Sequence, residues 1–99
     1  LPLLGDEKIE HVFHIYSIIA KERDNLGRYL AEKGVSTNIH YPTPIHLQPA
    51  YRHLGLQQGS FPVAEDLAKK TLSLPMFPEL REEEVKDICR NIRDFFYRR

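Results

Sequence analysis

The densest set of chemistry-bearing side chains is His40-Tyr41-Pro42-Thr43-Pro44-Ile45-His46, continued by Gln48 and Tyr51. Two imidazoles, two phenols, an amide and a hydroxyl can together donate and accept several hydrogen bonds. A neutral imidazole does both at once, through different nitrogens. Pro42 and Pro44 stiffen the segment and lower the entropy cost of holding those groups in place. At the end of a strand and in the loop behind it, such a set reads as a group of binding residues. The alternative reading is a surface loop with ordinary polar decoration, its side chains bracing the loop and nothing else.

Other chemistries find less support. His40, His46 and His53 are spaced by six and seven residues, which matches no compact zinc pattern, and no Cys or carboxylate lies between them to complete a shell. His11 and His14, three apart on an expected strand, would point to opposite faces. There is no Gly-x-Ser-x-Gly elbow to present a nucleophile. A Schiff-base lysine needs a desolvated or cation-crowded position, and Lys8, Lys21, Lys33, Lys69, Lys70 and Lys86 all stand in polar or strand-end contexts. No glycine-rich phosphate cradle is present. The chain offers contact residues without a catalytic engine.

The elements that must position these groups follow from periodicity. Residues 11–20 run apolar on both alternating faces, rich in branched and aromatic residues, and predict a strand. Leu26, Tyr29 and Leu30 fall at helical spacing, and Gly34 stands where a C-terminal glycine cap belongs. Gly27 weakens that helix by roughly 1 kcal/mol relative to Ala. Val35 to Tyr41 reads as a second strand stopped by Pro42. An irregular stretch follows, with room for a helical turn at 49–54. Pro62 opens another helix with Ala64, Leu67, Ala68 and Thr71 on one face, and Leu72 to Pro75 is a third short strand. In the last helix Glu82, Glu83 and Glu84 lie at the N-terminus and Arg98 and Arg99 at the C-terminus, as the helix dipole favours. Val85, Ile88, Cys89, Ile92 and Phe96 form its apolar stripe, which makes Cys89 a packed core thiol. The expected fold class is α+β: a small three-stranded, mainly antiparallel sheet covered by about three amphipathic helices.

Length and composition set the outer bounds. Ninety-nine residues suffice for one domain, and burying only about two-thirds of the unfolded surface leaves a modest core. Fourteen basic and fourteen acidic residues give zero formal charge, which argues against nucleic-acid or anionic-membrane binding. No apolar stretch approaches the roughly 18 residues of a membrane span. A lone Cys89 excludes an internal disulfide and fits a reducing, cytoplasmic compartment. The chain opens on Leu1 and carries neither a basic segment nor a long apolar segment of a signal peptide, so it reads as a piece of something larger.

Taken in order, several segments resemble the DegT/DnrJ/StrS family of pyridoxal-phosphate-dependent sugar aminotransferases. They are His11-Val12-Phe13-His14-Ile15-Tyr16, Arg23-Asp24, Glu32-Lys33-Gly34-Val35 and the run from His40 to Tyr51. Phe61-Pro62-Val63-Ala64-Glu65 and Leu72-Ser73-Leu74-Pro75-Met76-Phe77-Pro78 complete the set. The resemblance covers roughly residues 11–96 and only the C-terminal small domain of the fold-type I transferases. It implies residues 1–10 as a lead-in from a missing N-terminal large domain and 11–99 as the small domain. The cofactor-linking lysine and the carboxylate that holds the pyridine nitrogen would lie in that large domain, so the fragment alone is expected to be inactive and to hold no cofactor. The parent would use pyridoxal 5'-phosphate, take its amino group from glutamate, act on a nucleotide-linked keto-sugar and form a homodimer. His40, Tyr41, His46 and Tyr51 are then the expected substrate-binding residues. A non-catalytic regulatory or binding module of the same fold is the alternative.

Overall fold

Two short strands lie at the centre of the chain. In the computed structural model, which describes residues 5–97, β1 (Tyr16–Ile19) pairs antiparallel with β2 (Thr71–Leu74), with Tyr16 opposite Leu74 and Ile19 opposite Thr71. Between them in the chain come α1 (Arg23–Glu32), two 3₁₀ turns at Ile45–Leu47 and Pro49–Leu54, and α2 (Pro62–Lys70); α3 (Glu82–Tyr97) follows β2.

The class is α+β as expected, but the sheet has two strands rather than three. Val35 to Tyr41 does run beside the free edge of β2, yet it pairs through one residue only. Asn38 donates to the Ser73 carbonyl at 3.0 Å and accepts from the Ser73 N–H at 2.8 Å. The ladder stops there because Tyr41 adopts a left-handed φ of 58°, and Pro42 beyond it has no N–H to offer. The first strand is also shorter than residues 11–20. Phe13 takes a φ of 52°, and its N–H is held by His11 Nδ1 at 2.8 Å, so residues 11–15 leave the extended path. His11 and His14 therefore stand outside the strand on which their opposite facing was argued.

Alternation divides the sheet into two faces. Ile18, Leu72 and Leu74 face α1 and α3 and join a core of Leu26, Leu30, Val35, Ile88 and Phe95. Leu26, Leu30 and Leu72 are fully buried. Packing leaves room for a Cβ at Gly27, which would lie 3.5 Å from Thr37 Oγ1 and 3.8 Å from Leu72 Cδ1, both ordinary contact distances. α1 ends in the expected glycine cap. Gly34 sits at φ 81°, its N–H bonds Ala31 O at 3.0 Å and the Val35 N–H bonds Leu30 O at 2.8 Å, with buried Val35 beside buried Leu30.

Arg23 ties the layers together. Its Nη1 donates to the carbonyls of Ala68 at 3.0 Å and Thr71 at 2.9 Å, and its Nε to Asp24 at 2.8 Å. A cation is thereby placed at the carbonyl-rich end of α2, where the helix dipole favours it.

On α3, Ile88 and Ile92 of the expected stripe do face the core, with Ile92 half-buried, and Phe95 joins them in place of Val85, Cys89 and Phe96. Cys89 is exposed, as are Val85 and Phe96. The apolar face of the helix is wider than the small sheet can cover, so only one edge of it is buried. Arg98 and Arg99, and Leu1 to Leu4 of the lead-in, lie outside the described residues.

The chain is open for its mass. Its accessible surface is 8190 Å², against roughly 5,800 Å² for a folded monomer of this size. Its radius of gyration is 16.3 Å, against about 13 Å for a compact chain of 100 residues. No described helix is long and apolar enough to cross a membrane.

Candidate functional site

The second face of the sheet carries a polar row. Residues directly opposite in an antiparallel pair share a face, so Ser17, Ser73 and Asn38 line up across β1, β2 and the bridged segment. Two residues on from Asn38, alternation returns His40 to the same face. The side chains connect in sequence. Ser17 Oγ lies 3.0 Å from Ser73 Oγ, which lies 2.7 Å from His40 Nδ1; His40 Nε2 is 3.4 Å from Asn38 Nδ2. Ser73 is only 3% exposed, whereas Ser17 is open to solvent.

Beside this row lies a concave groove of about 410 Å³. Ser17, His40, Tyr41, Thr43 and Thr71 are its polar lining residues, and Ile15 and Leu67 are among its apolar walls. That volume lies within the range of small-molecule sites. Tyr41 is 78% exposed, its backbone held in the left-handed region. A tyrosine at positive φ is costly, and here it coincides with the point where the chain leaves the sheet and turns into the Pro42–Pro44 segment.

His46 and Tyr51 do not line that groove. His46 is 7% exposed and turns inward to the start of α2, its ring 4.9 Å from the Phe61 ring in an edge-on arrangement. Its Nε2 makes no hydrogen bond and stands 3.5 Å from Glu65 Oε2. Tyr51 projects from the second 3₁₀ turn, partly exposed. The structure thus brings His40 and Tyr41 together and sends His46 and Tyr51 elsewhere. Sequence reasoning named all four but not Ser17, Asn38, Ser73 or Glu65. The signal for Ser73 was its place between two apolar residues of a strand, where alternation sends it to the face opposite the core.

Glu65 explains the Phe61-Pro62-Val63-Ala64-Glu65 motif. α2 has no side-chain cap at Phe61, and Glu65 reaches back instead, accepting from the Gly59 N–H at 2.6 Å and the Phe61 N–H at 3.1 Å. The Gly59 bond is the main influence holding its carboxyl below the ordinary value of 4.5; burial opposes it, and the Phe61 N–H and His46 add to the lowering.

The lysines are not arranged to hold pyridoxal phosphate. Lys70 pairs with Asp66 at 2.9 Å, Lys86 with Glu82 at 3.1 Å, and Lys33 lies over the Tyr29 ring at 5.5 Å. Lys8, Lys21 and Lys69 are exposed. None of them is buried away from water, as a Schiff-base lysine requires. No lysine among the described residues is placed to hold the cofactor. Among the described residues, no three His, Cys, Asp or Glu side chains converge as a metal shell would require.

A model of the DegT/DnrJ/EryC1/StrS aminotransferase family matches residues 2–93. The chain is 49% identical, over 87% of its length, to the pleiotropic regulatory protein of Geobacillus stearothermophilus, covering 23% of that protein. It is 39% identical, over 98% of its length, to the dTDP-3-amino-3,6-dideoxy-alpha-D-galactopyranose transaminase of Aneurinibacillus thermoaerophilus, covering 26% of it. Among solved structures, DesV of S. venezuelae in complex with a ketimine intermediate superposes with a TM-score of 0.84 at 34% identity, over 91% of this chain and 24% of DesV. The chain spans about a quarter of the length of these relatives.

Proposed function

The chain belongs to the DegT/DnrJ/EryC1/StrS aminotransferase family, and from that premise we propose that residues 11–99 are the C-terminal small domain of a pyridoxal-phosphate-dependent aminotransferase, with residues 1–10 leading in from its large domain. The parent transfers an amino group, from glutamate, to a nucleotide-linked keto-sugar, and works as a homodimer. The observation that carries this reading is the likeness along nearly the whole chain to a transaminase of a dTDP-linked amino-sugar. The excess of exposed surface supports it, because a domain that docks on a larger one leaves its docking face uncovered when seen alone.

In this reading the cofactor and its electron-sink chemistry belong to the large domain. The small domain contributes contacts and excludes water. His40 and Tyr41 present hydrogen-bonding tips in one groove. Tyr51 adds a phenol from the neighbouring turn. His46 acts from inside, holding the loop that carries the others against α2.

The test is made on the complete gene product with added pyridoxal phosphate. Glutamate and keto-sugars linked to dTDP, UDP or GDP are supplied, and the product is followed by mass spectrometry for replacement of the carbonyl oxygen by an amino group. Amino transfer to any of these substrates supports the proposal. A product that shows no cofactor absorbance and no transfer overturns it in favour of a regulatory module, the reading suggested by the name of the Geobacillus relative.

A further inference from the structure

Leu72-Ser73-Leu74-Pro75 stood out in the sequence, and the substrate contacts proposed above give its serine no part. Its geometry assigns one. The Asn38 amide presents Nδ2 to His40 Nε2 at 3.4 Å, an orientation in which Nε2 accepts through its lone pair. A neutral imidazole has a single ring proton, which then sits on Nδ1. That proton points along the 2.7 Å contact to Ser73 Oγ, and the Ser73 hydroxyl hydrogen is left to bond Ser17 Oγ at 3.0 Å. Ser73 is fixed on both sides of its backbone, being opposite Ser17 in the ladder and doubly bonded to Asn38 across the other edge. Its hydroxyl is therefore held nearly immobile beneath a histidine that lines the groove.

We propose that Ser73 is a positioning residue that locks His40 in the Nδ1–H tautomer, so that Nε2 is a hydrogen-bond acceptor in the groove. The inference deepens the proposed function and rests on it for the claim that His40 meets substrate. It narrows what His40 can recognise. An acceptor nitrogen takes a hydroxyl or N–H of the sugar and is mismatched to a phosphate oxygen, which is itself only an acceptor. The 3.4 Å bond from Asn38 is long, and a ligand donor on the open side would replace it.

The test needs no ligand and uses the complete gene product with ¹⁵N-labelled histidine. Two-bond ¹H–¹⁵N correlations are recorded where the ring is neutral, and His40 is identified by the peak missing from His40→Gln. The expected result is a protonated-type Nδ1 and a lone-pair-type Nε2 at His40. Ser73→Ala should lose that signature, its shifts moving toward the reversed or averaged pattern, and Ser73→Thr should keep it. If Ser73→Ala does not fold, Ser73→Cys, of similar size but with a weak acceptor, takes its place. A wild-type His40 protonated at Nε2 overturns the proposal, as does an Nδ1–H signature that survives loss of the hydroxyl. A purely structural serine would move the melting temperature and leave the tautomer alone. Absence of amino transfer would count against the proposed function without touching this measurement, so the two can fail separately.

Discussion

His46 Nε2 stands 3.5 Å from Glu65 Oε2, both residues buried, where the proline-stiffened loop meets the first turn of α2. The pair joins a residue of the candidate binding segment to the residue that caps a helix. The contact sets the loop against the start of the helix.

This coupling predicts how stability depends on pH. The Glu65 carboxyl is held below its ordinary value of 4.5, first by the Gly59 N–H. A depressed carboxylate contributes stability that is present above the unfolded value and lost as pH falls through the folded one. Thermal melts of the chain should therefore decline as pH drops below about 4.5. Glu65→Gln should show a smaller decline across that range. Parallel declines in both proteins would show that the pair is not what acid breaks.

Replacing His46 by Ala should lower the melting temperature and increase hydrogen exchange at residues 43–61, because the ring fills space against Phe61 and Glu65. In the complete gene product, Tyr41→Phe and His40→Ala should instead raise the keto-sugar KM or lower kcat and leave cofactor absorbance intact. A lost hydrogen bond to a neutral group corresponds to about 0.5–1.5 kcal/mol. Unchanged kinetics in both groove variants would remove them from the site.

The core beneath the last helix and that helix's exposed face can be told apart directly. Leu72→Ala should cost about 2–5 kcal/mol, since Leu72 is fully buried between the sheet and the helices. Cys89→Ser should change stability by no more than about 0.5 kcal/mol in the 99-residue chain, where the thiol is exposed. A thiol reagent should modify Cys89 in the folded chain without denaturant. Protection of Cys89 there would contradict the observed stripe.

Gly27→Ala is expected to stabilise the chain by about 0.5–1 kcal/mol. Its backbone is helical, a new Cβ meets only ordinary contact distances at Thr37 and Leu72, and Ala loses less entropy on folding. Gly27→Val, with two further methyl groups in the same gap, should destabilise by about 1–3 kcal/mol. Denaturant titrations of the pair would test both signs.

Arg23→Lys should cost about 1.5–3 kcal/mol, because an ammonium cannot reproduce the guanidinium's planar reach to two carbonyls and a carboxylate. An unchanged unfolding midpoint would mean that this clasp holds nothing in solution.

Much of this was legible in the chain itself. Local signals fixed local outcomes: Gly34 after Lys33 marked the cap of α1, Pro62 marked the start of α2, and the three glutamates marked the start of α3. Leu26 and Leu30, one helical turn apart, are the buried pair their spacing implied. The order of short motifs carried the family, because motif order depends on residue identity and not on packing.

Tertiary structure decided what depends on partners distant in sequence. A strand exists only as far as its neighbour continues, so Val35 to Tyr41 became a single bridge when Tyr41 and Pro42 turned away from β2. Periodicity showed that α3 has an apolar face but not which edge of it a two-stranded sheet could reach, and that left Cys89 exposed. His40 and His46 look equivalent on either side of two prolines. One faces a groove and one a buried carboxylate, because Ser73 and Glu65, 33 and 19 residues further on, supply their partners.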